Sequence, residues 1–246
     1  MSTAWRVAEL VGDRFETPSA RTLRLRIPGL QGHLAGQHVD IRLTAPDGYQ
    51  AVRSYSIASA LPGDELELTV EELADGEVSP YLVRGIAVGD QLEVRGPVGG
   101  WFVWRPVDEG PVQLIGGGSG VVPLISMARA HAAAANAQEF RLLYSVRSPE
   151  SAYYREELPL LAKDAAAPFR VHYIYTRTAP EGWPAPAGRL TAESLAASIL
   201  PVAAKPTFYL CGATAFVESV SDWLVATGHD PARIRTERYG GVGGAP

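Results

Sequence analysis

"VQLIGGGSGVVPLISMAR", residues 112–129, passes from a short apolar run through four glycines into a second apolar stretch with a proline near its start. Val112–Ile115 reads as a strand, the glycines as a tight loop, and Pro123–Ala135 as a helix with proline near its first turn. Glycines let a backbone approach a pyrophosphate closely, and a helix start offers free N–H groups and a positive dipole end. The spacing is not G-x-G-x-x-G, and a glycine turn of this kind can also be purely structural, so its surroundings decide. Downstream, strands at Phe140–Val146, Arg170–Thr176 and Thr207–Cys211 alternate with helices at Tyr153–Leu161, Ala192–Ser198 and Ala215–Thr227. That alternation implies a doubly wound parallel α/β sheet.

Upstream the texture changes. Short β-rich runs at Trp5–Leu10, Thr22–Ile27, His38–Leu43, Val52–Ala58, Glu65–Glu71 and Gln91–Arg95 are separated by glycine, proline and other turn residues. Six such strands suggest an antiparallel barrel or sandwich. Ser79–Gly85 reads as a short helix over one barrel opening. A boundary near Arg105–Pro111 gives two domains, 1–106 and 107–246, which suits a chain of 246 residues.

Composition narrows the function. Hydrophobic content of 46% with 20% charge describes a globular protein, and no apolar run approaches a membrane span. Met1–Glu16 mixes charges with apolar residues and is no signal peptide, so the expected location is cytoplasmic. A net charge of −5 without a basic stripe argues against nucleic acid. Cys211 is the one cysteine, which rules out an internal disulfide, a thiolate zinc site and a four-cysteine iron–sulfur cluster within these residues. The five histidines show no metal-ligand spacing, and no metal site is expected.

Two stretches carry chemistry. Dinucleotide sites for NAD place an acidic residue at the end of the second strand. Here the second strand ends in Ser145 and Arg147 and the third leads to Arg177, side chains that suit a 2′-phosphate or are ordinary solvated strand ends. NADPH is thereby favoured, with NADH possible. In the barrel half, "RSYSIAS" (53–59) places Arg53 and Tyr55 on one strand face with Ser56 beside them. A buried strand does not usually carry such residues.

At this point the chain resembles the ferredoxin–NADP reductase superfamily, in which a flavin-binding antiparallel barrel precedes a nicotinamide-binding α/β domain. The resemblance rests on "RSYSIAS" (53–59), "GEVSPYL" (76–82), "GPVGGWF" (96–102), "GGGSGVVP" (116–123), "YLCGAT" (209–214) and "ERYGG" (237–241), in the family's order over nearly the whole chain. It implies a six-stranded barrel binding FAD, with Arg53 on the pyrophosphate, Tyr55 against the flavin and Ser56 near its N5. Gly76, Val78 and Ser79 would meet phosphate, although Ser79 alone would read as a helix cap, while Val70 and Glu72 lie on the strand beneath the flavin. Gly117, Gly118 and Gly120 would hold the nicotinamide dinucleotide, with Ser145, Arg147 and Arg177 at its other end. Cys211 and Gly212 would help aim the nicotinamide, or Cys211 is a small buried hydrophobe. Glu237 would stand at the point of hydride transfer. Tyr239 covers flavin or adenine, or simply packs, since here the chain continues beyond it as a glycine-rich tail.

The implied activity is FAD-dependent NAD(P)H oxidation with Ser56, Cys211 and Glu237 at the centre. The acceptor would be a separate ferredoxin or other iron–sulfur protein. Arg21, Arg24 and Arg26 on one strand either line a docking surface for such an acidic partner or form a solvated face. The alternatives are an NAD(P)H-dependent flavin or ferric reductase, and a nucleotide-sensing module without turnover.

Overall fold

The computed structural model describes residues 4–60, 63–164 and 166–239. In the first half, β1 (Arg6–Thr17), β2 (Ala20–Arg26), β3 (His38–Thr44), β4 (Gln50–Ser56), β5 (Glu65–Glu71) and β6 (Gln91–Val98) form one antiparallel sheet in the order β4-β3-β6-β1-β2-β5. Alternation sets its two faces: Leu23 and Leu25 of β2 lie opposite Leu68 and Leu66 in the core, while Arg24 and Arg26 point outward. The edge strands β4 and β5 meet through a bridge at Ile57–Leu68, where the Ala58 N–H donates to the Glu67 carbonyl at 2.8 Å, and this closes the barrel. Past that bridge, residues 72–86 pack against the opening, ending in a helical turn at Tyr81–Gly85.

The second half is a parallel sheet of β7 (Val112–Gly117), β8 (Phe140–Val146), β9 (Phe169–Tyr175), β10 (Thr207–Ala213) and β11 (Ile234–Tyr239), ordered β11-β10-β7-β8-β9. Its central strands are near-continuous apolar runs because both faces are covered. Leu114, Leu142 and Tyr209 pack towards α1 (Val121–Ala133) and the barrel; Ile115, Leu143 and Leu210 pack towards α3 (Ala192–Ser198) and α4 (Thr214–Ala226). The strand order reverses between β7 and β10, the place where open α/β sheets bind ligands.

Three sequence expectations change. β11 is a fifth parallel strand where the sequence indicated none, and it carries Glu237 and Tyr239. The expected helix over 153–161 contracts to α2 (Glu157–Leu161), because Tyr153 and Tyr154 are held in a turn, with Tyr154 in the left-handed region at φ 55°. β1 runs on to Thr17.

Tyr154 belongs to a polar seam between the halves. Its hydroxyl meets Thr69 Oγ1 at 2.6 Å, Thr69 meets Thr22 at 2.7 Å, and its N–H donates to Glu16 at 3.0 Å. Beside it Arg129 of α1 donates to both carboxylate oxygens of Glu157 at 2.7 Å, to Glu67 of the barrel at 2.9 Å and to the Ala58 carbonyl at 2.9 Å.

Candidate active site

A second crossing lies at the strand ends. The Ser56 hydroxyl at the end of β4 donates to Glu237 Oε1 on β11 at 2.9 Å, joining barrel to parallel sheet. Burial pushes the Glu237 carboxyl above the usual carboxylate range, against the opposing pull of the Ser56 hydrogen bond and of His38. Cys211 faces Glu237 in the parallel register. Its thiol is buried, and burial followed by the nearby carboxylate holds it well above its ordinary value, so it stays protonated.

The glycines here are required by packing as well as by any ligand. A Cβ on Gly120 would lie 2.2 Å from the Cys211 carbonyl oxygen, and one on Gly212 would lie 2.8 Å from the Phe216 ring. One on Gly117 would meet the same ring at 3.0 Å. Gly118 has φ 55°, a conformation that favours glycine. The Tyr239 hydroxyl closes over this loop, donating to the Gly117 carbonyl and accepting from the Gly120 N–H at 3.2 Å.

From Tyr239 a trough runs across the strand ends. One cavity of about 600 Å³ is lined by Gly117, Gly118, Ser145, Arg147 and Tyr239, with Glu71 from the barrel. A neighbouring cavity of about 680 Å³ shares Ser145 and Arg147 and adds Arg177, Arg189, Phe216 and Trp223. The guanidinium groups of Arg147, Arg177 and Arg189 have no carboxylate partner among the described residues. Arg189 carries no local sequence signal; only the fold brings it beside the other two.

On the barrel, Tyr55 is partly buried against the core, and its hydroxyl is pushed up to about 12, chiefly by burial. Arg53 is half-exposed and reaches across the barrel opening to Glu77 at 2.5 Å, while Tyr49 donates to the same carboxylate at 2.7 Å. Gly76 sits in a close turn where a Cβ would lie 2.8 Å from Ser79 Oγ. Ser79 is buried and its hydroxyl accepts from the Leu73 N–H at 3.0 Å, so it shapes the loop rather than facing outward. The side chains of Val70 and Val78 lie inside the barrel core, and Glu72 pairs with Arg84 at 2.9 Å. Arg21, Arg24 and Arg26 offer no free basic surface: Arg21 is buried against Asp13 at 2.7 Å, and the other two pair with Glu65.

These donor sets fit their implied ligands. An exposed guanidinium beside a half-buried aromatic and a strand-end hydroxyl suits a flavin dinucleotide, and a glycine loop leading to unpaired arginines suits a nicotinamide dinucleotide. Residues 8–103 match the oxidoreductase FAD-binding domain family and residues 114–222 the oxidoreductase NAD-binding domain family. The NADH-cytochrome b5 reductase 1 of Pyricularia oryzae is 31% identical over 85% of this chain and 70% of its own length. The chain belongs to the ferredoxin–NADP reductase superfamily. It has an FAD-binding half and an NAD-binding half of the oxidoreductase type. The ferredoxin–NAD(P)(+) reductase component of a Ralstonia naphthalene 1,2-dioxygenase/salicylate 5-hydroxylase system is 30% identical over 91% of this chain, which spans 65% of that relative. The FAD/NAD-binding domain of a nitric oxide dioxygenase from Vibrio cholerae superposes with a TM-score of 0.84 at 26% identity, covering 96% of this chain and 99% of that one. Among the described residues no helix is long and apolar enough to cross a membrane.

Proposed function

We propose that the protein draws its hydride from NADPH and delivers single electrons to a separate iron–sulfur acceptor, a ferredoxin or the iron–sulfur component of an oxygenase. The observation that carries this reading is the Ser56–Glu237 contact joining barrel to sheet, two residues along β11 from Tyr239, where a trough lined by unpaired arginines begins. Arg53 would hold the flavin pyrophosphate and Tyr55 would pack on the ring system. The Ser56 hydroxyl would hydrogen-bond at the flavin edge, and beside it stands Glu237, whose affinity for a proton is raised by burial and whose Oε1 accepts from Ser56. Arg147, Arg177 and Arg189 would bind the 2′-phosphate, and the glycine loop with Tyr239 would seat the nicotinamide end and exclude water. Bound there, the flavin supplies the conversion of a two-electron donor into a one-electron source. The acceptor is read as an iron–sulfur centre outside these 246 residues, which hold one cysteine, and the Ralstonia relative is named as the reductase component of a dioxygenase system. A cytoplasmic location goes with the single free thiol.

The test is an anaerobic visible scan of the purified protein before and after NADPH or NADH, repeated for Arg147→Ala and Arg177→Ala. The reading expects a flavin band that bleaches, with the variants losing roughly 10-fold or more in apparent affinity for NADPH and little for NADH. Equal effects on both nucleotides overturn the 2′-phosphate assignment, and flavin lost on dialysis gives the lead to a flavin or ferric reductase.

A further inference from the structure

β5 turns one face towards the sheet half, and Glu67, Thr69 and Glu71 alternate along it. The first two are matched: Glu67 pairs with Arg14 and Arg129 at 2.9 Å, and Thr69 Oγ1 meets the Tyr154 and Thr22 hydroxyls. Glu71, the last residue of the strand, has no cationic partner among the described residues. Its neighbours are phenols instead. Burial raises the Tyr153 and Tyr239 hydroxyls above their ordinary values, and the nearby Glu71 carboxylate adds to it in both. The backbone here is pinned, with Glu71 opposite Ala20 in the β2 register and the Glu72 N–H donating to the Ser19 carbonyl at 2.8 Å.

Glu71 forms part of the wall of the 600 Å³ cavity that also holds the glycine loop and Tyr239. The other carboxylate on that wall, Glu150, is exposed and has Arg155 nearby. Charge is therefore divided along the trough, with the guanidiniums of Arg147, Arg177 and Arg189 towards one end and an unmatched carboxylate near the glycine loop. Guanidiniums suit phosphates, whereas a carboxylate repels an anionic ligand unless positive charge arrives beside it. A nicotinamide dinucleotide meets that condition in one redox state only. When a hydride carries both electrons of its C–H bond from the dihydronicotinamide to the flavin, the nicotinamide is oxidised and the flavin reduced. The nicotinamide ring is left with a positive charge.

We propose that Glu71 faces the nicotinamide end of the trough and stabilises that positive charge, favouring the oxidised dinucleotide and lowering the barrier to hydride departure. The inference rests on the flavoprotein reading above and adds to it a barrel residue that acts on the nucleotide. A fixed charge aimed at charge that develops in the transition state accelerates a step, where one that binds both states equally does not. Glu71 is fixed in this sense by the strand it ends and by Tyr153, whose own N–H donates to the Tyr144 hydroxyl at 3.2 Å.

The experiment uses the flavin-loaded full chain as wild type, Glu71→Gln and Glu71→Asp. Calorimetry on the oxidised protein gives Kd for NADP⁺. Stopped-flow flavin absorbance against NADPH concentration gives Kd for NADPH and the limiting reduction rate. Glu71→Gln weakens NADP⁺ and slows the limiting rate, each roughly 10-fold, and leaves Kd for NADPH within about 2-fold. Glu71→Asp, which keeps the charge, stays close to the wild type in the ratio of the two Kd values. In the unaltered protein, added salt weakens NADP⁺ more steeply than NADPH, because only the oxidised form has an attraction to Glu71 to lose. Equal salt slopes, equal weakening of both nucleotides by Glu71→Gln, or tighter binding of both, overturns the role of Glu71 while leaving a flavoprotein. A wild type whose flavin NADPH does not reduce overturns the parent reading itself.

Discussion

Two of the contacts between the barrel half and the sheet half are built differently. At the Arg129 seam one largely buried guanidinium serves two carboxylates and a carbonyl, and next to it a chain of hydroxyls runs from Tyr154 through Thr69 to Thr22. Every charge is matched, and the pairing holds the Glu67 carboxyl below its ordinary value although burial alone would raise it. At the other crossing a single hydroxyl meets a single carboxyl, and there burial wins, leaving Glu237 raised. The first arrangement fastens. The second leaves a buried carboxyl with a raised affinity for protons at the edge of the sheet, and perturbed groups of that kind mark candidate functional sites.

The contrast breaks most visibly at the seam. Arg129→Ala leaves Glu67 and Glu157 without their shared partner and is expected to cost about 3–5 kcal/mol in denaturant unfolding. Arg26→Ala, which removes an exposed pair with Glu65, should cost under ~1 kcal/mol. Similar losses for both would mean the seam is no more than another surface network. Next comes the working contact. Ser56→Ala should slow anaerobic flavin reduction by NADPH about 100-fold in stopped-flow absorbance while flavin stays bound. A rate equal to wild type would reduce the Ser56–Glu237 contact to a structural one.

The smallest effect is in pH. A carboxyl whose folded pKa is raised stabilises the fold while it is protonated and loses that contribution as pH climbs through the raised value. Glu237→Gln keeps an oxygen to accept from Ser56 but cannot ionise. It should match the wild type in Tm near pH 4 and exceed it near pH 8, by roughly 2–4 °C for each kcal/mol of ionisation penalty removed. A variant less stable at both values would show that the carboxylate is favourably placed.

Much of the architecture was legible because its signals are local. The glycine loop followed β7, turn residues separated the short strands of the barrel, and strands alternated with helices in the second half. β11 escaped because "IRTERY" inverts the pattern: its inward positions are Arg235, which donates to the Val103 carbonyl at 2.8 Å, and Glu237, which meets Ser56. The polar residues face inward because they serve the junction between halves, which no window of the sequence contains. Residues 153–154 looked helical for the opposite reason, since their apolar character serves a turn locked to the barrel. Glu77 carried no side-chain signal in the sequence, as its partners Tyr49 and Arg53 lie 28 and 24 residues away. Of the two readings of Arg21, Arg24 and Arg26, the solvated face holds for Arg24 and Arg26, and the carboxylates that pair with all three sit on adjacent strands.

Ser56 and Glu237 are 181 residues apart, and Glu237 lies on the last described strand. On the ribosome the barrel emerges and folds first, since domains fold as units in the order of synthesis. An unfinished chain can therefore display a complete barrel while Ser56 still faces water, because the partner of that hydroxyl is translated 181 residues later. The contact between the halves is thus timed by translation itself: Ser56 meets its carboxyl only when β11 adds to the far edge of the sheet.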